Sequence, residues 1–263
     1  MTIADDPIVI FGAPRSGTTY LNELVNSHPL VHVTHEMRLF AWAHEVLTPP
    51  VRDERLLVTH GPEFLSHVAA RLPAMIRDFY AAKWPAIRHW GDKNPHYADV
   101  VNRGCLPTIR RLFPGAKFLH IIRDGRDVVA SLVRRRHDDG RPWADLMTAC
   151  RVWSEHVAIG ADFGRGLPDG SYLELRYEDL VRDDRGHAIR ILDFLGIERH
   201  SAVDEFCARQ QATRTRFSSP TRDLGADVLA SDWETTVDRP DREIALGKLE
   251  PGLVRFGYFE RRT

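Results

Sequence analysis

Short apolar runs and longer amphipathic stretches alternate along most of this chain. Runs typical of buried strands occur at 8–12, 31–34, 87–91, 117–122 and 171–176. Between them, apolar residues recur at helical spacing over about 62–83, 96–113, 142–163 and 185–195. Strands that alternate with helices predict an α/β fold, in which helices cover both faces of a central parallel sheet.

The C-terminal part has a different pattern. From about 210 to 263 it is polar and rich in arginine, with a short helical periodicity at about 240–256. We expect a loop-rich edge here, not a separate domain. The sequence therefore predicts one domain over 1–263, with its core at about 7–197.

The first predicted strand leads into a glycine-containing loop, GAPRSGTT. Gly12 and Gly17 have the spacing of the phosphate-binding pattern GxxxxGK[ST], but Thr18 stands where that pattern has lysine. Glycines let backbone N–H groups surround an anion, and the following helix directs its positive end at it. The missing lysine is the group that reaches β- and γ-phosphates, and Arg15 lies inside the loop instead. We therefore expect a phosphate ester that is not a magnesium-bound triphosphate.

A second strand-to-helix junction, in KFLHIIRDGRDVVASLVRRR, carries another arginine cluster. Arg123 follows the predicted strand, while Ser131 and Arg135 are four residues apart and so share one helix face. A guanidinium and a hydroxyl that converge at the end of a strand form a second anion site. Asp124 could instead hold Mg²⁺ in a Walker B strand, but the arginines on both sides of it disfavour that interpretation.

Two separated anion sites on one sheet suit a nucleoside with phosphates at both ends. The two segments resemble the 5′-phosphosulfate and 3′-phosphate motifs of sulfotransferases that use 3′-phosphoadenosine-5′-phosphosulfate (PAPS), which has no γ-phosphate and needs no Mg²⁺. The resemblance runs from about Ile8 to Ile197 and is strongest for the PRSGTT branch, which includes bacterial enzymes and the tyrosylprotein sulfotransferases. It implies a P-loop-like sulfotransferase fold. It also implies metal-free transfer of the sulfuryl group from PAPS to a hydroxyl, with 3′-phosphoadenosine-5′-phosphate (PAP) as product.

The resemblance further implies roles for individual residues. The 5′-phosphosulfate would be held by Arg15, Ser16, Gly17, Thr18 and Thr19, and the 3′-phosphate by Arg123, Ser131 and Arg135. Glu36 falls where the tyrosylprotein enzymes keep a catalytic glutamate, and Lys93 of GDKNP where they keep a lysine beside the transferred group. Arg15 would lie near the sulfuryl oxygens, and Tyr177 of RYEDL matches a tyrosine near the nucleotide. Glu36, Lys93 and Tyr177 each follow a predicted strand, where ligands of an open parallel sheet gather.

Three alternatives remain open. His35 and His96 lie near Glu36 and Lys93 in the sequence and could supply the base instead, since some sulfotransferases use a histidine. A degenerate P-loop kinase or NTPase would account for the first loop, although the lysine and a clean Walker B aspartate are missing. A non-catalytic nucleotide-binding protein would keep both anion sites beside an inert base. The C-terminal contacts also stay open, because Asp232 stands where the tyrosylprotein enzymes have a lysine.

Charge and composition narrow the partners. The net charge of −1 gives no reason to expect binding to nucleic acid or to an anionic membrane. We expect no metal at His28, His32 and His35, because side chains in a strand alternate between its faces. Only four of the 36 basic residues are lysines, a bias typical of a GC-rich bacterial genome, and this scarcity draws attention to Lys93.

The remaining expectations concern location and acceptor. Three widely spaced cysteines, a strand close to Met1 and no apolar stretch of membrane-spanning length predict a cytoplasmic protein. We expect the acceptor to be a small hydroxylated metabolite or a sugar in preference to a protein tyrosine. Its pocket would be built from Met37–Pro50, Trp84–Pro95 and the polar region after Phe217. The sequence carries no signal for an oligomeric state.

Overall fold

Five parallel strands form the centre of the structure, a computed structural model. It describes residues 2–48, 61–102, 104–135, 140, 143–216 and 233–259. The strands are β1 (Ile8–Phe11), β2 (Val31–His35), β3 (His89–Lys93), β4 (Lys117–Ile122) and β5 (Tyr172–Arg176). They are hydrogen-bonded in the order β2-β3-β1-β4-β5, and every pair is parallel. The predicted α/β fold with a parallel sheet is therefore confirmed.

The helices lie between and after these strands. They are α1 (Thr18–Asn26), α2 (Leu39–Leu47), α3 (Gly61–Lys83), α4 (Cys105–Leu112), α5 (Gly125–Arg134), α6 (Leu146–Arg165), α7 (Tyr177–Arg182), α8 (Asp184–Leu195), α9 (Ser201–Arg216), α10 (Trp233–Thr236) and α11 (Arg239–Arg255). A 3₁₀ turn covers Pro95–Ala98. No helix within the described ranges combines the length and the apolar character that a bilayer crossing requires.

The helices cover both faces of the sheet, as predicted. Ile8 and Ile10 of β1 belong to a core with α1, α8 and α9, whereas Val9 and Phe11 belong to a core with α2, α3 and α4. Successive residues of a strand point to opposite faces, so this alternation fixes the position of β1 between the two layers. The carboxyl ends of all five strands then meet at one edge of the sheet.

Two boundaries differ from the sequence-based expectation. Strand β3 lies two residues later than the predicted 87–91, because Asp92 and Lys93 belong to it and are fully buried. Apolar periodicity does not detect this strand end, because its last two residues are charged. They can be buried only because polar groups of the protein form hydrogen bonds with them. The stretch predicted as helical at 96–113 is divided into the 3₁₀ turn and α4, separated by a turn in which Asp99 accepts a hydrogen bond from the backbone N–H of Asn102.

The C-terminal part contains more helix than the polar composition indicates. Helix α9 continues to residue 216, and α11 packs on α6 through Leu249 and Leu253, which join Trp153 in a third core. The buried residues of α11 are spaced at about one per helical turn. They form a narrow apolar stripe, which a mostly polar sequence does not reveal as a helix. The segment at 217–232, with the polar region after Phe217 and with Asp232, lies outside the described residues.

Candidate active site

The loop after β1 occupies the centre of the edge where the strands end. Because β1 lies between β3 and β4, Lys93 at the end of β3 flanks this loop on one side. Arg123, just after β4, flanks it on the other. The topology therefore brings together the two predicted segments that lie far apart in the sequence.

The loop itself has the features of an anion cradle. Arg15 and Gly17 adopt left-handed backbone conformations, with φ of 73° and 91°. Gly17 is the N-cap of α1 and makes no side-chain cap bond, so the first N–H groups of the helix are left for a ligand. The hydroxyl of Ser16 is buried and has no hydrogen-bond partner among the described residues. A bound anion would satisfy these donors.

Gly17 is also closely packed against Tyr177. A Cβ atom at Gly17 would lie 2.3 Å from Cδ2 of the Tyr177 ring, so no larger residue fits unless the ring or the loop moves. The Arg123 guanidinium stacks on the same Tyr177 ring, with its Cζ 4.9 Å from the ring centroid. Tyr177 thus links the first loop to the second arginine cluster.

Residues of the two predicted anion sites contact each other across the edge of the sheet. Arg15 Nε donates a hydrogen bond to Ser131 Oγ at 2.9 Å, and Arg123 Nη1 lies 3.4 Å from the backbone oxygen of Arg15. Burial lowers the pKa of the Arg15 guanidinium, and the nearby charges of Arg135 and Arg123 lower it further. The Nε atom of Arg123 is buried without a partner among the described residues. Such crowding of cations favours a bound polyanion.

One detail of the second cluster corrects the expectation. Ser131 and Arg135 were predicted to share a helix face, but α5 ends at Arg134 and Arg135 has an extended backbone. The Arg135 guanidinium lies 5.7 Å from the ring centroid of Trp143. Its charge still reaches Arg15, so it remains part of the positive surface.

On the other flank, Lys93 is completely buried at the end of β3. Its Nζ donates hydrogen bonds to Glu36 Oε1 and to His35 Nε2, both at 2.8 Å, and lies 3.5 Å from Thr19 Oγ1. Glu36 itself is held by a bond from its backbone N–H to the Lys93 carbonyl at 2.7 Å. Lys93 therefore connects the loop residue Thr19 with the predicted base.

The electrostatics of Glu36 follow from these contacts. Partial burial raises the pKa of its carboxyl group, but the hydrogen bond and the charge of Lys93 outweigh burial and lower the pKa below its usual range. Contributions from His35 and His96 act in the same direction. Lys93 and His35 both approach Oε1, so Oε2 is the oxygen that an incoming hydroxyl can meet.

A buried carboxylate that the motif analysis missed supports this arrangement. Asp92 accepts hydrogen bonds from Thr34 Oγ1 at 2.6 Å, from the backbone N–H of Met37 at 3.2 Å and from the hydroxyl of Tyr97. It thereby fixes the turn in which Glu36 has a positive φ of 55°. The signal was present in GDKNP, where Asp92 precedes Lys93, but an acidic residue in an apolar core is not visible as such in the sequence.

A cavity of about 410 Å³ opens beside Glu36. Its lining consists of Glu36, Arg38, Ala41, Asn94, His96, Asp99, Val101 and Asn102. His96 lines this cavity and lies 3.2 Å from Asp99, whereas His35 contacts Lys93 directly. Both parts of the predicted acceptor region that the structure describes, the stretch after Met37 and the GDKNP segment, thus contribute to one cavity, and six of its eight lining residues are polar.

Comparison with known proteins decides the family. Residues 7–202 match the model of a sulfotransferase family. The chain belongs to this family. The predicted resemblance, from about Ile8 to Ile197, is therefore confirmed over nearly the same residues.

Relatives within the sulfotransferases differ in what their names say they act on. The chain is 27% identical to protein-tyrosine sulfotransferase A of Caenorhabditis elegans over 198 residues, covering 72% of this chain and 50% of the relative. It is 35% identical to an omega-hydroxy-beta-dihydromenaquinone-9 sulfotransferase of Mycobacterium bovis over 159 residues, covering 56% of this chain and 39% of the relative. The chain spans about half the length of the tyrosine sulfotransferase that it matches.

A solved mouse sulfotransferase complexed with PAP shares the fold. Its TM-score to this chain is 0.56 at 16% sequence identity, with 97% of this chain and 86% of the mouse chain covered. At that identity the likeness establishes the fold, and the sheet with its phosphate loop is the sulfotransferase fold.

Proposed function

We propose that this protein transfers the sulfuryl group of PAPS to a hydroxyl acceptor. The observation that carries the proposal is the position of Lys93. Its buried ammonium lies between Thr19 of the anion loop and Glu36 at the mouth of a cavity, and so between a donor site and an acceptor site. Buried lysines are rare unless paired, and this one is aimed at the point where both sites meet.

The residues of the donor site fit PAPS. The backbone of the loop from Ser16 to Thr19 and the start of α1 would hold the 5′ end. Arg123, Ser131 and Arg135 would hold the 3′-phosphate. The buried, unpartnered Ser16 hydroxyl and Arg123 Nε are donors that such a ligand satisfies. The PAP in the related mouse structure supports the same donor. When bound, PAPS supplies an activated sulfuryl group; the protein supplies position, charge and a base.

Each side chain has a defined task in this scheme. Glu36 Oε2 would take the proton of the acceptor hydroxyl as the new oxygen–sulfur bond forms and the bond between sulfur and the 5′-phosphate oxygen of PAPS breaks, with PAP as the leaving group. Lys93 neutralises the negative charge that grows on the sulfuryl and leaving-group oxygens, as cations do in phosphoryl transfer. Arg15, which contacts Ser131, would add a second positive charge near the sulfuryl oxygens, on the side of the loop away from Lys93. Tyr177 supports Arg123 and closes the donor site.

The cavity beside Glu36 supports a small hydroxylated acceptor, such as a metabolite or a sugar. Its volume of about 410 Å³ is in the range of small-molecule sites, and most of its lining side chains are polar. The three cysteines are buried free thiols, which supports the prediction of a reducing, cytoplasmic compartment.

The donor can be tested without knowledge of the acceptor. We expect PAP to stabilise the protein and ATP to do so poorly, because ATP lacks the 3′-phosphate and carries charge that the loop cannot place. At about 100 times the dissociation constant, PAP should raise the melting temperature by roughly 5–10 °C. Arg123→Ala should remove most of this preference. Arg165→Ala, on the exposed end of α6, is the matched control and should leave it intact.

Equal stabilisation by Mg-ATP and PAP, or stabilisation by Mg-ATP alone, would exclude the sulfotransferase proposal and favour the kinase alternative. Incubation with labelled PAPS and cell extract, followed by identification of the sulfated product, tests the transfer itself. A chain that binds PAP but labels nothing beyond background would support the non-catalytic alternative.

The packing of Gly17 gives a second test of the donor site. Gly17→Ala places a methyl group against the Tyr177 ring, so the loop or the ring must move. We expect PAP affinity to fall roughly 10–100-fold, the worth of one charge-assisted contact, as measured by calorimetry. Gly170→Ala is the control, because Gly170 also has a positive φ (76°) but no atom within 4 Å of the new methyl group. The Gly170→Ala variant should lose stability through backbone strain and keep its PAP affinity. An equal loss of PAP affinity in both variants would show that backbone strain, and not the contact with Tyr177, causes the loss.

A further inference from the structure

Three potential metal ligands converge in the wall of the cavity that Glu36 also lines. His96 and Asp99 lie at the 3₁₀ turn after β3, and His156 comes from α6, which packs against this turn. The ligand atoms of the three residues all lie within 4.8 Å of one another. Within the part of the chain that the structure describes, this is the grouping that could hold an ion. The histidines first considered do not join it: His28 Nε2 lies 3.1 Å from the Glu198 carbonyl.

His156 has the hydrogen-bond pattern of a metal ligand. The residue is 3% exposed, and its Nδ1 lies 2.7 Å from the Val152 carbonyl oxygen, so Nδ1 carries the proton and donates it. Nε2 is then the unprotonated nitrogen and carries a lone pair. It is buried without a hydrogen-bond partner among the described residues. Histidines that bind metals typically anchor the other ring nitrogen on a backbone carbonyl in this way.

Asp99 is oriented by its own supporting bonds. Its Oδ1 accepts from the backbone N–H of Asn102 at 2.6 Å and from the Asn102 side chain at 3.0 Å. Oδ2 is directed to the other side, where it lies 3.2 Å from His96 Nδ1. Asn102 thus holds one oxygen in place and turns the other toward His96, on the side of the grouping.

We propose that His96, Asp99 and His156 bind a divalent transition-metal ion of the zinc type. Two imidazoles and one carboxylate form a common zinc ligand set, and three protein ligands leave the fourth position open. Bond lengths of about 2.0–2.1 Å place tetrahedral ligands roughly 3.3 Å apart. His96 Nδ1 and Asp99 Oδ2 are already at this spacing, at 3.2 Å, and no pair in the grouping is more than 4.8 Å apart.

The open position faces the acceptor cavity, because His96 and Asp99 line that cavity together with Glu36. An ion there would take an oxygen of the acceptor as its fourth ligand and so orient the acceptor beside Glu36. This role rests on the proposed sulfuryl transfer, whereas the binding of the ion does not. The metal site therefore has to be tested with the metal alone.

The experiment uses the full chain without a histidine tag. After equilibrium dialysis against Zn²⁺ and removal of free metal, we expect about one ion per chain and a higher melting temperature. Co²⁺ should give the intense visible absorption of a four-coordinate site, and added azide should shift this absorption by entering the open position. His96→Ala and Asp99→Asn, both at the cavity surface, should each weaken Zn²⁺ binding by more than about 100-fold.

His67→Ala is the matched control, since it removes an exposed histidine on α3 that is not in the grouping. It should bind Zn²⁺ like the unaltered chain. The proposal is overturned if the unaltered chain retains no Zn²⁺, or if His96→Ala and Asp99→Asn bind it as well as His67→Ala does. PAP binding, measured on the same variants, separates failure of the metal site from failure of the donor site.

Discussion

Replacing Glu36 with glutamine is expected to slow turnover by roughly 10²–10⁴-fold, the usual contribution of a general base. The amide oxygen can still accept the hydrogen bond from Lys93, so the buried ammonium keeps a partner. The amide cannot take the proton of the acceptor hydroxyl. PAP affinity should stay near that of the unaltered chain, because Glu36 lies on the acceptor side of Lys93. The measurements are the rate of label transfer from PAPS and the binding of PAP.

Two further results would complete this test. Glu250→Gln, an exposed substitution on α11, should leave the rate unchanged. The rate of the unaltered chain should hold as the pH falls into the range where an ordinary glutamate becomes protonated, because the base must be deprotonated and Lys93 lowers the pKa of Glu36 beneath the usual glutamate value. Full activity of Glu36→Gln would assign the base to His35 or His96 instead.

Replacing Lys93 with methionine should slow turnover by roughly 10²–10³-fold, the usual effect of removing one group that stabilises transition-state charge. Methionine fills a similar volume at this completely buried position, so the packing of β3 is largely retained. PAP affinity should change much less than turnover, because PAP has no sulfuryl group and the charge that Lys93 meets grows only during transfer.

The comparison of the two readouts carries this test. If PAP affinity and turnover fall by the same factor, Lys93 only tethers the nucleotide. Lys83→Met, at the exposed end of α3, serves as the control and should affect neither quantity. The pH profile adds an independent check: without the lysine charge, burial dominates and the pKa of Glu36 rises, so any residual activity should lose its acid tolerance.

Much of the fold and of the donor site could be predicted because short-range pattern determines them. Apolar runs located the five strands, and parallel strands place their carboxyl ends together. That rule alone puts Gly12, Lys93 and Arg123 on one edge of the sheet. The structure brings Lys93 into contact with Glu36 and Arg123 into contact with Tyr177, whereas the roles that the family resemblance implies for these residues stay predictions.

The remaining features depend on contacts that no local pattern encodes. Asp92 is buried because Thr34 and Tyr97, from other elements, donate to it. Arg15 contacts Ser131, 116 residues away, because two loops at the sheet edge converge. His156 lies 60 positions from His96 and reaches it only through the packing of α6. Sequence periodicity describes one element at a time, and these interactions lie between elements.

The C-terminal helix α11 lies beyond the family-matched segment, yet it completes the core around Trp153. Trp153 Nε1 donates to the Arg123 carbonyl at 2.9 Å, and the Tyr258 hydroxyl lies 3.2 Å from the Ile122 carbonyl and 2.8 Å from Glu178. The tail therefore anchors the Ile122 carbonyl directly through Tyr258, and the Arg123 carbonyl indirectly, through the packing of α11 on Trp153. A fragment that ends with the matched segment would retain every side chain proposed to bind the nucleotide. It would lose the packing of Tyr258 and α11 that positions Arg123. The segment that packs around Arg123 thus extends beyond the segment that the family model matches, and a fragment for binding experiments should include both.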